Sequence, residues 1–141
     1  MKTYVLDASA LLRYLENEPG AIRVEQLLNE ARLGNCHLHM SAVNWGEVSY
    51  VLRRKFSGSD AEAIVGRLRL LPITVAAAAM LDAEEAAAMK RQYAMPYADA
   101  FAAALAAQRS ATLVTADHDL RACAHALKVE FLPTRASGSK R

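Results

Sequence analysis

The chain has 141 residues, the length of one domain, and can bury a core that needs no disulfide or metal to staple it. Its formal net charge is +2, and alanine inflates a hydrophobic share of 53%. That charge is compatible with a polyanionic partner without demanding one. Two cysteines are too few for a disulfide framework, and Asp82, Glu84 and Glu85 interrupt the alanine-rich region before it reaches the length of a membrane span. MKTYVLDAS runs straight into a strand-like segment instead of a signal peptide, so a soluble cytoplasmic protein is expected.

Thr3–Leu6 is short, apolar and partly β-branched or aromatic, which predicts a buried strand. Ala8–Asn17 reads as a helix stopped by Pro19-Gly20, and Ile22–Ala31 as a second helix ended by Gly34-Asn35. His37–Met40 fits a short strand. Ser41 is expected to cap a helix reaching Phe56, with Val48, Val51 and Leu52 inward. Ser59-Asp60-Ala61-Glu62 has the form of a capping box and opens a helix to Leu71, broken by Pro72. Ile73–Val75 is strand-like, and Ala77–Tyr93 is helical by alanine propensity. Pro96 suits the start of a further helix over Ala98–Gln108. Thr112–Thr115 is a strand, Leu120–Leu127 a helix and Val129–Leu132 a last strand. Strands alternating with helices in this way imply a parallel sheet covered on both faces. One domain over residues 1–135 is expected, with ASGSKR (136–141) as a disordered tail.

In an open parallel sheet, ligands bind beyond the carboxyl ends of the strands. Tyr4-Val5-Leu6 ends in Asp7, and Leu113-Val114-Thr115-Ala116 ends in Asp117. Either acid alone reads more readily as a helix cap; two at one crevice carry more weight. Glu47 lies early in the Ser41 helix beside core-like Val48, Val51 and Leu52, where the plainer alternative is an exposed helix acid. Asp99, in Tyr97-Ala-Asp99-Ala-Phe101, opens a helix between apolar residues, where an acid also complements the helix dipole. Asp82, Glu84 and Glu85 read as a solvated face. If Asp7, Glu47, Asp99 and Asp117 converge, they cannot all stay ionised unaided, because like charges raise one another's pKa. A hard divalent cation resolves the conflict, and Mg²⁺ prefers oxygen ligands. One such ion, or two roughly 4 Å apart, activates water and stabilises charge on a phosphoryl group. The constellation therefore points to metal-assisted phosphodiester hydrolysis. Ser9 and Thr115 are placed to position a carboxylate or a water, with capping as the equal alternative. On this reading Asp7 binds metal and Ser9 does any capping.

Four elements in this order, Asp7-x-Ser-Ala after a strand, a mid-chain helix with Glu47, Tyr-x-Asp99-Ala at a helix start and Leu-Val-Thr-x-Asp117, carry a resemblance. Over nearly the whole chain, the sequence resembles the PIN-domain family, and within it the VapC-type toxins of bacterial toxin–antitoxin systems. The resemblance implies a three-layer α/β/α sandwich with a central parallel sheet and a Mg²⁺- or Mn²⁺-dependent endoribonuclease site built from these acids. It implies a homodimer and a small antitoxin that blocks the site. Asp119 stands where many relatives also carry an acid; it reads as a metal-site residue, as support behind the ligands or as the N-cap of the Leu120 helix, and the last two are preferred. PIN domains also act in RNA processing outside toxin systems, and a catalytically degenerate interaction module is a further alternative; the short single-domain chain favours the toxin, and all four acids being present favours the enzyme.

Arg53-Arg54-Lys55, Arg67, Arg69, Lys90 and Arg91 fit an RNA path or plain surface solvation. Arg13, under two helical turns from Asp7, is the best-placed candidate for a phosphate contact. Trp45 and Tyr97 could stack on bases, although Trp45 suits core or dimer packing better. Zinc is a poor fit: Cys36-His37-Leu38-His39 and Cys123-Ala124-His125 match no finger spacing, and neighbouring side chains on a strand point apart. A haloacid-dehalogenase-type phosphatase needs a second aspartate where Ser9 stands, and a response-regulator receiver needs an aspartate after the third strand, where alanines follow.

Overall fold

Tyr4, Val5 and Leu6 are all buried, and alternation along the strand sends Tyr4 and Leu6 into one core and Val5 into another. That division sets the architecture. The computed structural model describes residues 1–134. Its order is β1 (Lys2–Leu6), α1 (Ala8–Leu15), α2 (Ala21–Arg32), β2 (Cys36–Ser41), α3 (Ala42–Lys55), α4 (Gly58–Leu68), β3 (Thr74–Ala76), α5 (Met80–Tyr93), α6 (Tyr97–Arg109), β4 (Thr112–Thr115), a 3₁₀ segment (His118–Cys123) and β5 (Val129–Phe131). The expected tail at 136–141 lies outside the described residues.

The five strands are all parallel and run β3-β2-β1-β4-β5, so β1 is central. Val5 pairs in register with His39 on one side and Leu113 on the other. On one face, Leu6, Leu38, Met40 and Val114 pack with Leu11 of α1, Val24, Leu27 and Leu28 of α2, Val48 and Leu52 of α3, and Val65 and Leu68 of α4. On the other face, Val5 and Leu113 meet the alanines of α6 and Ala86 of α5. The fold is the expected three-layer α/β/α sandwich. Every residue of α6 from Asp99 to Ala106 is buried. A run of alanines allows this, because their small side chains let the helix lie close to sheet and neighbours alike. Among the described residues, no helix is long and apolar enough to cross a membrane.

Ser41 caps α3 as expected, accepting from the Val43 N–H at 3.2 Å, and closes β2 as well. Three local expectations are corrected. The capping box at Ser59 does not form: α4 already starts at Gly58, after Ser57, and Glu62 turns away to pair with Arg53 of α3. Helix α5 starts at Met80 instead of Ala77, where Asp82 accepts from the Ala79 N–H at 2.8 Å and so fixes the first turn. The helix expected over Leu120–Leu127 is a 3₁₀ segment ending at Cys123. The N–H groups of Ala126 and Leu127 both return to the Cys123 carbonyl, a tight turn that lets the chain reach β5 within a few residues.

Candidate metal centre

Asp7 follows β1 at its carboxyl end, and its N–H donates to the Val114 carbonyl of β4 at 3.2 Å. It is the N-cap of α1: Oδ1 accepts from the Ala10 N–H at 2.9 Å and from the Ser9 hydroxyl at 2.7 Å. Oδ2 accepts from the Thr115 hydroxyl at 2.5 Å. The expectation that Ser9 does the capping is therefore corrected; Asp7 caps, and Ser9 holds Asp7. Each hydroxyl accepts in turn from the loop after β4, Ser9 from the Ala116 N–H and Thr115 from the Asp117 N–H, both at 2.9 Å. Two short relays thus lock one carboxylate to the loop that carries the next.

That loop bears Asp117 and Asp119, and α6 bears Asp99 in its first turn. Carboxylate oxygens of Asp99, Asp117 and Asp119 all lie within 4.8 Å of one another, the single such cluster among the described residues. Asp99 is buried, Asp117 half-buried and Asp119 exposed. The cap of the 3₁₀ segment is Asp117, which accepts from the Asp119 N–H at 2.9 Å, so Asp119 is free to turn its own carboxylate toward the other two. Asp7 is not a member of that cluster; it stands behind it, completely enclosed, and its charge still acts on Asp99.

Glu47 also lies outside the cluster and is exposed on α3. It accepts from Asn44 Nδ2 at 2.9 Å, and the same nitrogen donates to the Ala98 carbonyl at 3.2 Å, next to Asp99. Arg13 spends Nη1 on the carbonyls of Pro19 (3.0 Å) and Pro133 (3.5 Å), tying the α1–α2 connection to the end of the sheet. Trp45 is half-buried against the core. Tyr97 is exposed, packs edge-on to Phe101 and donates to the Ala83 carbonyl at 3.2 Å. Arg53 pairs with Glu62, Lys55 with Glu16, and Arg54 lies over the Tyr50 ring, whereas Lys90 of α5 donates to the Met95 carbonyl in the connection to α6. Cys36 and Cys123 are buried in different cores, each with its thiol donated to a backbone carbonyl, so they share no metal site.

Burial is the main force on the Asp7 carboxyl and raises it to about 6, against the pull of three donors (Thr115, Ser9 and the Ala10 N–H) and with help from the Asp117 charge. Asp99 is pushed further up, first by burial and then by Asp117, Asp7 and Asp119. None of the ion pairs among the described residues involves these acids. Asp99 Oδ2 is buried without a hydrogen-bond partner. Crowded oxygen donors, no neighbouring cation and one orphaned carboxylate oxygen fit a hard divalent ion such as Mg²⁺ or Mn²⁺. Asp99, Asp117 and Asp119 are the residues whose carboxylate oxygens lie close enough together to hold one. Sequence reasoning passed over Asn44, which stands inside the very stretch that drew attention to Glu47, because a buried polar residue in a helix has no periodic signal of its own.

Fold and site together define an α/β/α protein with an acidic centre at the carboxyl end of a parallel sheet. Residues 4–126 match the family profile described as PIN domain, and the chain belongs to the PIN-domain family. A search of curated proteins found no match. Solved structures give the same fold. VapBC2 from Rickettsia felis, bound to a DNA fragment from its promoter, superposes with a TM-score of 0.69 at 14% identity, covering 93% of this chain and 99% of that one. DNA-bound VapBC from Salmonella typhimurium gives 0.69 at 20% identity, covering 93% and 98%. VapC20 from Mycobacterium tuberculosis, a sarcin-ricin loop cleaving toxin, gives 0.60 at 17% identity, covering 92% and 99%.

Proposed function

We propose that this PIN-domain protein is a Mg²⁺- or Mn²⁺-dependent endoribonuclease, the toxin of a toxin–antitoxin pair. The observation that carries the reading is the meeting of Asp99, Asp117 and Asp119 within 4.8 Å, with one Asp99 oxygen buried and unpaired. A divalent ion bound there supplies an activated water and charge stabilisation at a phosphoryl group. Asp99 and Asp117 hold the ion from two different elements, and Asp119 faces it from the solvent side. Asp7 anchors the loop that carries Asp117 and adds negative charge behind it. Glu47, exposed on α3, completes the acidic set and orients a water or a phosphate. Ser9 and Thr115 keep Asp7 from turning. The fold likeness to VapBC complexes supports a small antitoxin as partner; a homodimer as the working assembly and the cytoplasm as its place are part of the same proposal.

Purified protein incubated with total RNA and Mg²⁺ or Mn²⁺ tests this. Discrete fragments are expected, lost with EDTA and reduced roughly 10²-fold or more in Asp7→Asn and Asp117→Asn, both still folded by circular dichroism. Cleavage that survives EDTA, or that Asp117→Asn leaves at the wild-type rate, overturns the reading.

A further inference from the structure

Glu47 is the acid that the fold itself does least to place. It is exposed, and among the described residues its only side-chain partner is Asn44. Asn44 sits three residues earlier on α3, hence on the same helix face, and is 1% exposed. Its amide nitrogen has two N–H groups, and both are used: one on Glu47 Oε1 at 2.9 Å, one on the Ala98 carbonyl at 3.2 Å. Its Oδ1 is buried with no partner. That orphan oxygen is a cost an apolar residue would not carry, so packing alone does not account for an amide here. What the amide does, geometrically, is join the acid of α3 to the turn of α6 that carries Asp99.

We propose that Asn44 is a positioning residue for the metal centre, holding Glu47 in fixed relation to Asp99 through the α3–α6 contact. This rests on the reading of Glu47 as one of the metal-site acids. The carboxylate of Glu47 then has a defined height over the cluster without touching it in the metal-free protein. Losing Asn44 leaves Glu47 present but free to swing into solvent. Metal affinity should suffer as though Glu47 itself were gone.

The test is Mn²⁺ titration by calorimetry of the full chain in four forms: wild type, Asn44→Ala, Glu47→Ala and the double variant. Outer partners of metal ligands are worth about tenfold or more in affinity. Asn44→Ala and Glu47→Ala should each weaken Mn²⁺ binding about tenfold, and the double variant no further, because both remove one device. Independent losses that multiply, or wild-type affinity in a folded Asn44→Ala protein, overturn the proposal. Should Asn44→Ala not fold, the decision passes to Glu47→Ala, whose change lies on the surface: the Asn44 side-chain amide resonances should shift and exchange faster with water. Unmoved resonances overturn it. Absence of Mn²⁺ binding in the wild type overturns the metal-centre reading, and this inference with it.

Discussion

Asp7 does two jobs with one carboxylate, and the opposition between them has a measurable consequence. Three donors stabilise its charge while burial resists it, and burial wins. The folded, metal-free protein therefore holds protons on Asp7 and Asp99 that the unfolded chain gives up near pH 4. Stability contributed by those protons is present below the unfolded pKa and is lost as pH rises, through about 6 for Asp7 and beyond it for Asp99. In EDTA, Asp99→Asn should melt several degrees above wild type at pH 7.5, and the gap should close by about pH 4, where both proteins are neutral at that position. A difference that ignores pH would mean charge crowding is not its cause. Thr115→Val keeps the shape of a buried side chain but strips Asp7 Oδ2 of its donor. It should cost about 1–3 kcal/mol in urea unfolding at neutral pH. Asp7 and Asp117 are legible in the sequence because each ends an apolar strand. That Asp119 joins the cluster while Asp117 caps the turn is not, since the direction of a side chain in a 3₁₀ turn follows from where the turn's hydrogen bonds go, and these depend on Asp117.

Elements with strong periodicity or clear breakers are read well: β1, α2, β4 and α6 fall within a few residues of expectation. Errors gather where a local signal competes with tertiary contact. Glu62 forsakes the capping box because Arg53 is near, and the last helix shortens because β5 must pair with β4. Gly20 shows the same principle in the connection before α2. It takes φ +97°, and a Cβ there would lie 2.9 Å from Leu132 Cβ. Gly34 has φ +79° with open space around it. Gly34→Ala should cost about 1 kcal/mol, the backbone penalty alone. Gly20→Ala should cost at least about 2 kcal/mol, strain plus overpacking. Equal midpoints for the two variants in urea would show that the α1–α2 connection does not press on the end of the sheet.

Across the whole molecule, the acids are gathered from β1, β4 and α6 at one end of the sheet, and their repulsion opposes folding until something neutralises it. Ligand binding to the native state alone stabilises by about 2.7 kcal/mol at a hundred times the dissociation constant. Mn²⁺ should therefore raise the wild-type melting temperature at pH 7.5 by several degrees, and Asp117→Asn should remove most of that gain. A rise that persists in Asp117→Asn would place the ion elsewhere. The pairing of β1 with β4 has one more outcome. Asp7 and Thr115 touch across 108 positions of sequence, and the acidic cluster lacks Asp117 and Asp119 until β4 and the loop after it have been made. A chain that stops at the end of α6 carries Asp7 and Asp99 but neither acid of that loop, and leaves the β4 side of β1 unpaired. A shortened chain cannot assemble the cluster, which is complete only where the first strand meets the fourth.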